Sequence, residues 1–101
     1  MTAAQNTMDQ SVVEDIAKAR CDRERRCGNV GAGKGYVSRD VCMDQMRGSI
    51  ASDLNASNCP GGINRQGVER CEAAIQSEDC GHPLDTITRM DHCKASALCL
   101  K

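Results

Sequence analysis

Residues 18–42 read KARCDRERRCGNVGAGKGYVSRDVC, and this stretch decides the fold. It begins in a charged run, passes through a loop with four glycines, and ends in a second run that Ser38 is placed to cap. Three cysteines lie within it, at Cys21, Cys27 and Cys42. The stretch therefore predicts two helices that are joined by a glycine-rich loop and held by covalent links.

Upstream and downstream of the loop, apolar residues recur at the spacing of an amphipathic helix. The first helix is predicted from about Met8 to Cys27, and Gly28 is expected to end it. Its apolar stripe is formed by Val12, Val13, Ile16, Ala17 and Cys21. The second helix is predicted to stop within residues 55–58, and its stripe is formed by Cys42, Met46, Ile50 and Leu54.

Two shorter helices are predicted in the second half of the chain. Asn64 is placed to cap a third helix, whose inner face carries Val68, Cys71 and Ile75. A fourth helix is expected to begin near Pro83, since proline is favoured in the first turn of a helix. Its inward residues are expected to be Leu84, Ile87, Met90, Ala97 and Leu98. No strand-like alternation competes, so the fold class predicted is all-α, a small antiparallel array of about four helices.

Composition limits how such an array is stabilised. The 101 residues include no Trp, no Phe and one Tyr, and 40% are hydrophobic, so large side chains are scarce. This length suits one domain, which we expect at residues 8–101 after a flexible leader at residues 1–7. Hydrophobic burial alone would leave this domain marginally stable.

Eight cysteines form an even and dense set, which predicts about four disulfides. No two cysteines are separated by only two residues, a spacing that zinc sites commonly use. We expect all of them to be bridged in an oxidising, extracytoplasmic compartment. The pairing that the sequence favours is Cys27 with Cys42, across the glycine-rich loop. The full set is Cys21, Cys27, Cys42, Cys59, Cys71, Cys80, Cys93 and Cys99.

The formal net charge is -1, which gives no reason to expect nucleic acid or an anionic membrane as a partner. Residues 1–10 have no apolar segment of the kind that a secretory signal contains, so we expect a signal to precede this chain in its precursor. Gly28 to Lys34 matches the first seven positions of a phosphate-binding loop, but Gly35 stands where serine or threonine is required. We expect an ordinary loop there and no cofactor.

Few residues are candidates for chemistry. Asp85, Arg89 and His92 fall on one face of the fourth helix and offer an acid, a cation and a proton-transfer group, although such faces are usually solvated ion pairs. Tyr36 and His92 are candidate ligand contacts, and Tyr36 has the alternative role of shielding the core.

A metal site is the remaining chemical possibility. His82 and His92, with Cys80 and Cys93 beside them, would form a metal site only if those thiols were reduced. We therefore expect no metal.

The runs SDLNASNCPGGI at residues 52–63 and CEAAIQSEDCGHPLDTITRMDHC at residues 71–93, together with residues 18–42, resemble a family of short, cysteine-rich myxobacterial lipoproteins. Members are sometimes labelled natural product biosynthesis lipoproteins. The similarity covers about residues 10–99. It implies a signal peptide, a lipidated cysteine upstream of this chain, a tether, and a folded domain at the membrane surface. The resemblance assigns no catalytic residues to this chain.

Together these observations predict an extracytoplasmic, non-catalytic accessory or binding domain for a small molecule or a protein partner. The alternative is a small enzyme or auxiliary factor that acts on a secondary metabolite by cyclisation or proton transfer. A third class is a structural envelope lipoprotein. An apolar cavity of at least about 300 Å³, lined by a histidine or a carboxylate, would favour a small ligand or an enzyme, whereas a solid bundle would favour a protein partner.

Overall fold

The computed structural model describes residues 10–55, 58–81, 89 and 91–100, and these residues are mostly helical. The helices with defined bounds are α1 (Gln10–Arg26), α2 (Arg39–Asp53), α3 (Arg65–Gln76) and the short α4 (Ala95–Leu98). Residues 89 and 91–93 are also helical. Within the described ranges β pairing is limited to isolated bridges and no strand forms, so the all-α prediction is confirmed.

Local sequence signals place the helix ends as predicted. The Ser38 hydroxyl accepts a hydrogen bond from the Val41 amide at 3.2 Å, and the Asn64 side chain accepts one from the Gly67 amide at 3.1 Å. Both bonds satisfy first-turn amides that have no partner inside their helix. Gly28 follows α1 with a φ of 76°, a conformation that favours glycine.

Helix α1 is central and contacts both α2 and α3. It runs antiparallel to α2, since Glu14 near its start pairs with Arg47, while Asp22 near its end pairs with Arg39. The C-terminal ends of α1 and α3 lie together, where Arg26 donates a hydrogen bond to the backbone oxygen of Gln76. The core therefore forms on both sides of α1.

The core consists of aliphatic, methionine and cysteine side chains, as the composition requires. The stripe of α1 is fully buried, and Ile16 and Cys21 are at most 2% exposed. The predicted inner faces of α2 and α3 are buried against it, and Leu98 of α4 closes one end. A backbone bridge between Ile63 and Cys99 joins the C-terminal segment to the turn before α3.

Four disulfides link the eight cysteines and indicate an oxidising, extracytoplasmic environment. The prediction of a Cys27–Cys42 bridge is wrong. Cys21 bonds to Cys42 because it lies one turn after Ala17 on the buried face of α1, directly against α2. Cys27 lies beyond the last residue of α1 and bonds to Cys80, close to the end of α3. The remaining pairs are Cys59–Cys99 and Cys71–Cys93.

Several predictions fall on residues outside the described ranges. These are the leader at residues 1–7, the helix start at Met8, and the start of the fourth helix at Pro83 with its inward residues Leu84, Ile87 and Met90. Among the helices that are described, none is both long and apolar enough to span a membrane.

Candidate functional site

A cavity of about 210 Å³ lies between α1, α2, residues 89 and 93, and α4. We call it the arginine cavity, and among the described residues it is lined by Ile16, Arg20, Ile50, Asp53, Arg89, Cys93 and Leu98. It combines apolar walls with three charged groups, which is the usual make-up of a small-molecule site.

The apolar walls follow directly from the helix stripes. Ile16 and Ile50 lie on the buried faces of α1 and α2, and Leu98 packs from α4. Cys93 is held in place by its bond to Cys71 in α3, so the disulfide fixes one wall of the arginine cavity. The walls are therefore suited to an aliphatic or aromatic group.

Arg20 lies one turn after Ile16 on the same face of α1, and its side chain lines the arginine cavity. Its Nε is buried and has no hydrogen-bond partner within the described residues, and none of them forms an ion pair with its guanidinium. Burial lowers the pKa of Arg20 and the positive charge of the neighbouring Arg89 lowers it further, while Tyr36, Glu24 and Glu78 offset this lowering only in part. Arg20 is thus a partly desolvated cation at the edge of an apolar site.

Arg89 is oriented by a buried carboxylate. Its Nε lies 3.4 Å from Oε1 of Glu78, and the Glu78 side chain is only 1% exposed. Arg23 pairs with the other oxygen of Glu78, with 3.0 Å between Nη2 and Oε2. Arg23 also pairs with Glu24 at 2.6 Å, and Glu24 accepts a hydrogen bond from the Asn29 side chain at 2.9 Å. This chain of contacts anchors the wall that carries Arg89.

Asp53 is the only carboxylate among the described lining residues of the arginine cavity. It is the last residue of α2 and is exposed to solvent. A carboxylate at this position repels anions that carry more than one charge more strongly than it repels a singly charged anion. Asp53 therefore favours a ligand of low charge.

The arrangement can bind and orient a small organic molecule. Two guanidinium groups offer several N–H donors, and the aliphatic walls offer a surface that excludes water. Within the described lining there is no histidine, serine or free thiol, and Asp53 is the one residue with the chemistry of a general base.

The predicted site residues are distributed unevenly around the arginine cavity. Of the proposed Asp85, Arg89 and His92 face, Asp85 lies outside the described residues, Arg89 lines the cavity, and the half-buried His92 precedes the lining Cys93. The expectation that Arg89 belongs to a solvated ion pair is wrong, because only 17% of its side chain is exposed and it pairs with buried Glu78.

Of the other candidates, Cys93 lines the arginine cavity and Tyr36 is not among its described lining residues. Tyr36 is partly buried and packs against the core, and its backbone bonds to Asn29 and Gly31 close the glycine-rich loop. His82 lies outside the described residues. Cys80 and Cys93 are bonded to two other cysteines, Cys27 and Cys71, so neither thiolate is available to a metal. In the described ranges, no group of three or more His, Cys, Asp and Glu residues is arranged to hold an ion.

Sequence reasoning missed Arg20, Asp53 and the Arg23–Glu78 pair. The available signal was the position of Arg20 and Arg23, which extend the Ile16 stripe at helical spacing into the core. Arginines on the buried side of a helix require an anionic partner, and Glu78 is that partner for Arg23.

Comparison with known proteins identifies a family but no individual relative. No curated protein and no solved structure is significantly similar to the chain. A model of a family of unknown function, DUF6184, matches residues 21–101, which include all eight cysteines, Arg23, Glu78 and every described residue of the arginine cavity except Ile16 and Arg20. The chain therefore belongs to the DUF6184 family, whose function is unknown.

Proposed function

We propose that this chain is an extracytoplasmic, non-catalytic binding domain that takes up a small organic ligand in the arginine cavity. The observation that carries the proposal is the cavity itself, where Ile16, Ile50 and Leu98 provide apolar walls beside two arginines. Its lining includes the expected carboxylate, Asp53, but its volume of about 210 Å³ is below the size of about 300 Å³ that we set for a ligand site, and below the range of about 300–1,000 Å³ that is typical of drug-sized ligands. The ligand is therefore a small one.

The proposed setting is the outer side of a membrane. Four disulfides support an oxidising compartment, and the resemblance to myxobacterial lipoproteins supports a lipidated cysteine upstream of residue 1 and a role in natural product biosynthesis. In this proposal the domain is held near the membrane only through that anchor. Labelling of the full-length precursor with a fatty-acid analogue tests the anchor, and a precursor without label contradicts it.

The enzyme alternative depends on the face that carries Asp85, Arg89 and His92. Arg89 is already engaged with Glu78, and this pairing explains its position without any role in catalysis. A proton-transfer reaction would have to use His92 and a ligand in the arginine cavity next to it. No described contact favours this reaction, so binding without turnover is the better explanation.

The proposal is tested by titrating the oxidised, isotope-labelled domain with hexanoate, benzoate, hexylamine and hexanamide. Amide resonances of Ile16, Arg20, Ile50 and Leu98 are followed by NMR, since these residues line the arginine cavity. We expect at least one probe to produce saturable shifts at these four residues. If no probe does so, the binding-domain proposal is contradicted, and if a probe is converted to a product, the enzyme alternative replaces it.

A further inference from the structure

We infer that the arginine cavity selects a small monocarboxylate with an apolar body of about five carbons, and that Arg20 is the residue that binds its carboxylate. This inference rests on the proposed function and specifies the chemical class of the ligand. It is carried by three features of the cavity, which are its charge, the geometry of its donors and its size.

The charge argument concerns the two arginines that line the cavity. Arg89 is paired with Glu78, whereas Arg20 forms no ion pair within the described residues although its Nε is buried. The charges of Glu24 and Glu78 offset the desolvation of Arg20 and its repulsion by Arg89 only in part, so a further anion would stabilise it. A bound anion would satisfy the Arg20 donors and relieve the repulsion by Arg89, which already lowers the Arg20 pKa. The cavity is thus preorganised for negative charge.

The geometry of a guanidinium group favours a carboxylate. Its planar fork of N–H donors matches two carboxylate oxygens and forms two parallel charge-assisted hydrogen bonds. A phosphate group matches the fork equally well but carries more charge, which the Asp53 carboxylate at the end of α2 opposes. Ile16, Ile50 and Leu98 provide no partners for further polar groups. A single carboxylate on an apolar body fits all of these groups.

The size of the cavity sets the length of the ligand. An engineered apolar cavity of about 150 Å³ holds benzene, which has six non-hydrogen atoms. In proportion, a cavity of about 210 Å³ accommodates about eight such atoms. Hexanoate has this number, with two oxygens for Arg20 and an alkyl chain for the aliphatic walls. It is therefore the probe of choice.

The test compares hexanoate with hexanamide and hexylamine, which keep the alkyl chain and replace the carboxylate by a neutral or a positive group. Calorimetric titration of the wild-type domain is expected to give at least tenfold weaker binding for hexanamide and no detectable binding for hexylamine, because the charge-assisted bonds to arginine are lost. This comparison needs no variant and does not depend on the folding of one.

Variants then assign the carboxylate to Arg20. Arg20→Met keeps the length of the side chain and removes a desolvated cation, so it is expected to fold with an unchanged or higher melting temperature and to bind hexanoate at least tenfold more weakly. Arg25→Met removes the same charge from an exposed position of the same helix and is the matched control, with unchanged affinity. Asp53→Asn is expected to strengthen hexanoate binding because it removes the repelling carboxylate.

The outcomes separate this inference from the proposed function. If hexanamide binds as tightly as hexanoate, or if Arg20→Met binds hexanoate as the wild type does, the monocarboxylate assignment is overturned while the binding domain stands. Preferred binding of hexylamine overturns it too. If these three probes and benzoate all fail to bind the wild-type protein, both proposals are contradicted.

Discussion

Glu78 pairs with Arg23 at 3.0 Å, although only 1% of the Glu78 side chain and 12% of the Arg23 side chain are exposed. Glu78 lies two residues after the end of α3, and Arg23 lies in the last turn of α1, so the pair joins the two helix ends. The second oxygen of Glu78 faces Arg89 at 3.4 Å. The buried Glu78 carboxylate thus links the end of α1 to Arg89, which lines the arginine cavity.

Replacing Glu78 by Gln is expected to lower the free energy of unfolding by about 3 kcal/mol, since removing one partner of a buried ion pair leaves the remaining charges uncompensated. Chemical denaturation at neutral pH measures this. Glu69→Gln, which removes a carboxylate from an exposed position of α3, is the control and is expected to change stability by less than about 0.5 kcal/mol. Equal and small effects of the two substitutions would mean that the Glu78 pair does not stabilise the fold.

The helices were predictable because their signals are local. The apolar stripe of α1, the Ser38 cap of α2 and the Asn64 cap of α3 each depend on residues within one or two turns. Sequence spacing alone determines which residues share a helical face. The structure confirms these features, and it ends α2 at Asp53, slightly before the predicted residues 55–58.

The disulfide pairing and the arginine cavity were not predictable because they depend on how the helices pack. Cys27 is closer to Cys42 than to Cys80 along the chain, yet the meeting of the α1 and α3 ends brings it to Cys80. Glu78 follows a helix in a polar segment, where a solvated carboxylate is the usual expectation. Glu78 is buried and paired with Arg23 because this segment packs against the cationic end of α1.

The disulfides allow a prediction that separates stability from binding. Removing Cys27–Cys80 or Cys71–Cys93 by paired substitution with Ala is expected to cost about 3 to 4 kcal/mol in either case, from the loop lengths alone. Only loss of the Cys71–Cys93 bridge is expected to weaken hexanoate binding, because Cys93 lines the arginine cavity. Thermal melts and titrations below the melting temperature measure the two effects. Equal loss of binding in both variants would contradict a local role of this bridge.

The Glu14–Arg47 pair predicts a pH dependence of stability. Arg47 donates two hydrogen bonds to the Glu14 carboxylate, from Nε to Oε2 and from Nη2 to Oε1, each at 2.8 Å. These bonds hold the pKa of the Glu14 carboxyl below its ordinary value of 4.5. A depressed folded-state pKa means that the pair stabilises the protein above pH 4.5 and that this contribution is lost as the pH falls further. The melting temperatures of the wild type and Glu14→Gln should therefore differ at pH 7 and converge at acidic pH. A difference that persists unchanged at pH 3 would rule out the ion pair as its cause.

Two glycines in helices are expected to respond oppositely to alanine because their surroundings differ. A Cβ at Gly67 would overlap the carbonyl oxygen of Ala97, where α3 packs against α4, whereas a Cβ at Gly48 on the exposed side of α2 would meet nothing within 4 Å. Gly67→Ala forces the two helices apart and is expected to cost about 1–3 kcal/mol, as overpacking of a core does. Gly48→Ala removes backbone freedom from the unfolded chain and is expected to add about 0.5–1 kcal/mol to the free energy of unfolding.

Because Leu98 lies next to Ala97 and lines the arginine cavity, Gly67→Ala should also shift the amide resonances of Leu98, while Gly48→Ala should leave them unchanged. Stabilisation of the protein by Gly67→Ala would show that α4 does not pack against α3 in solution.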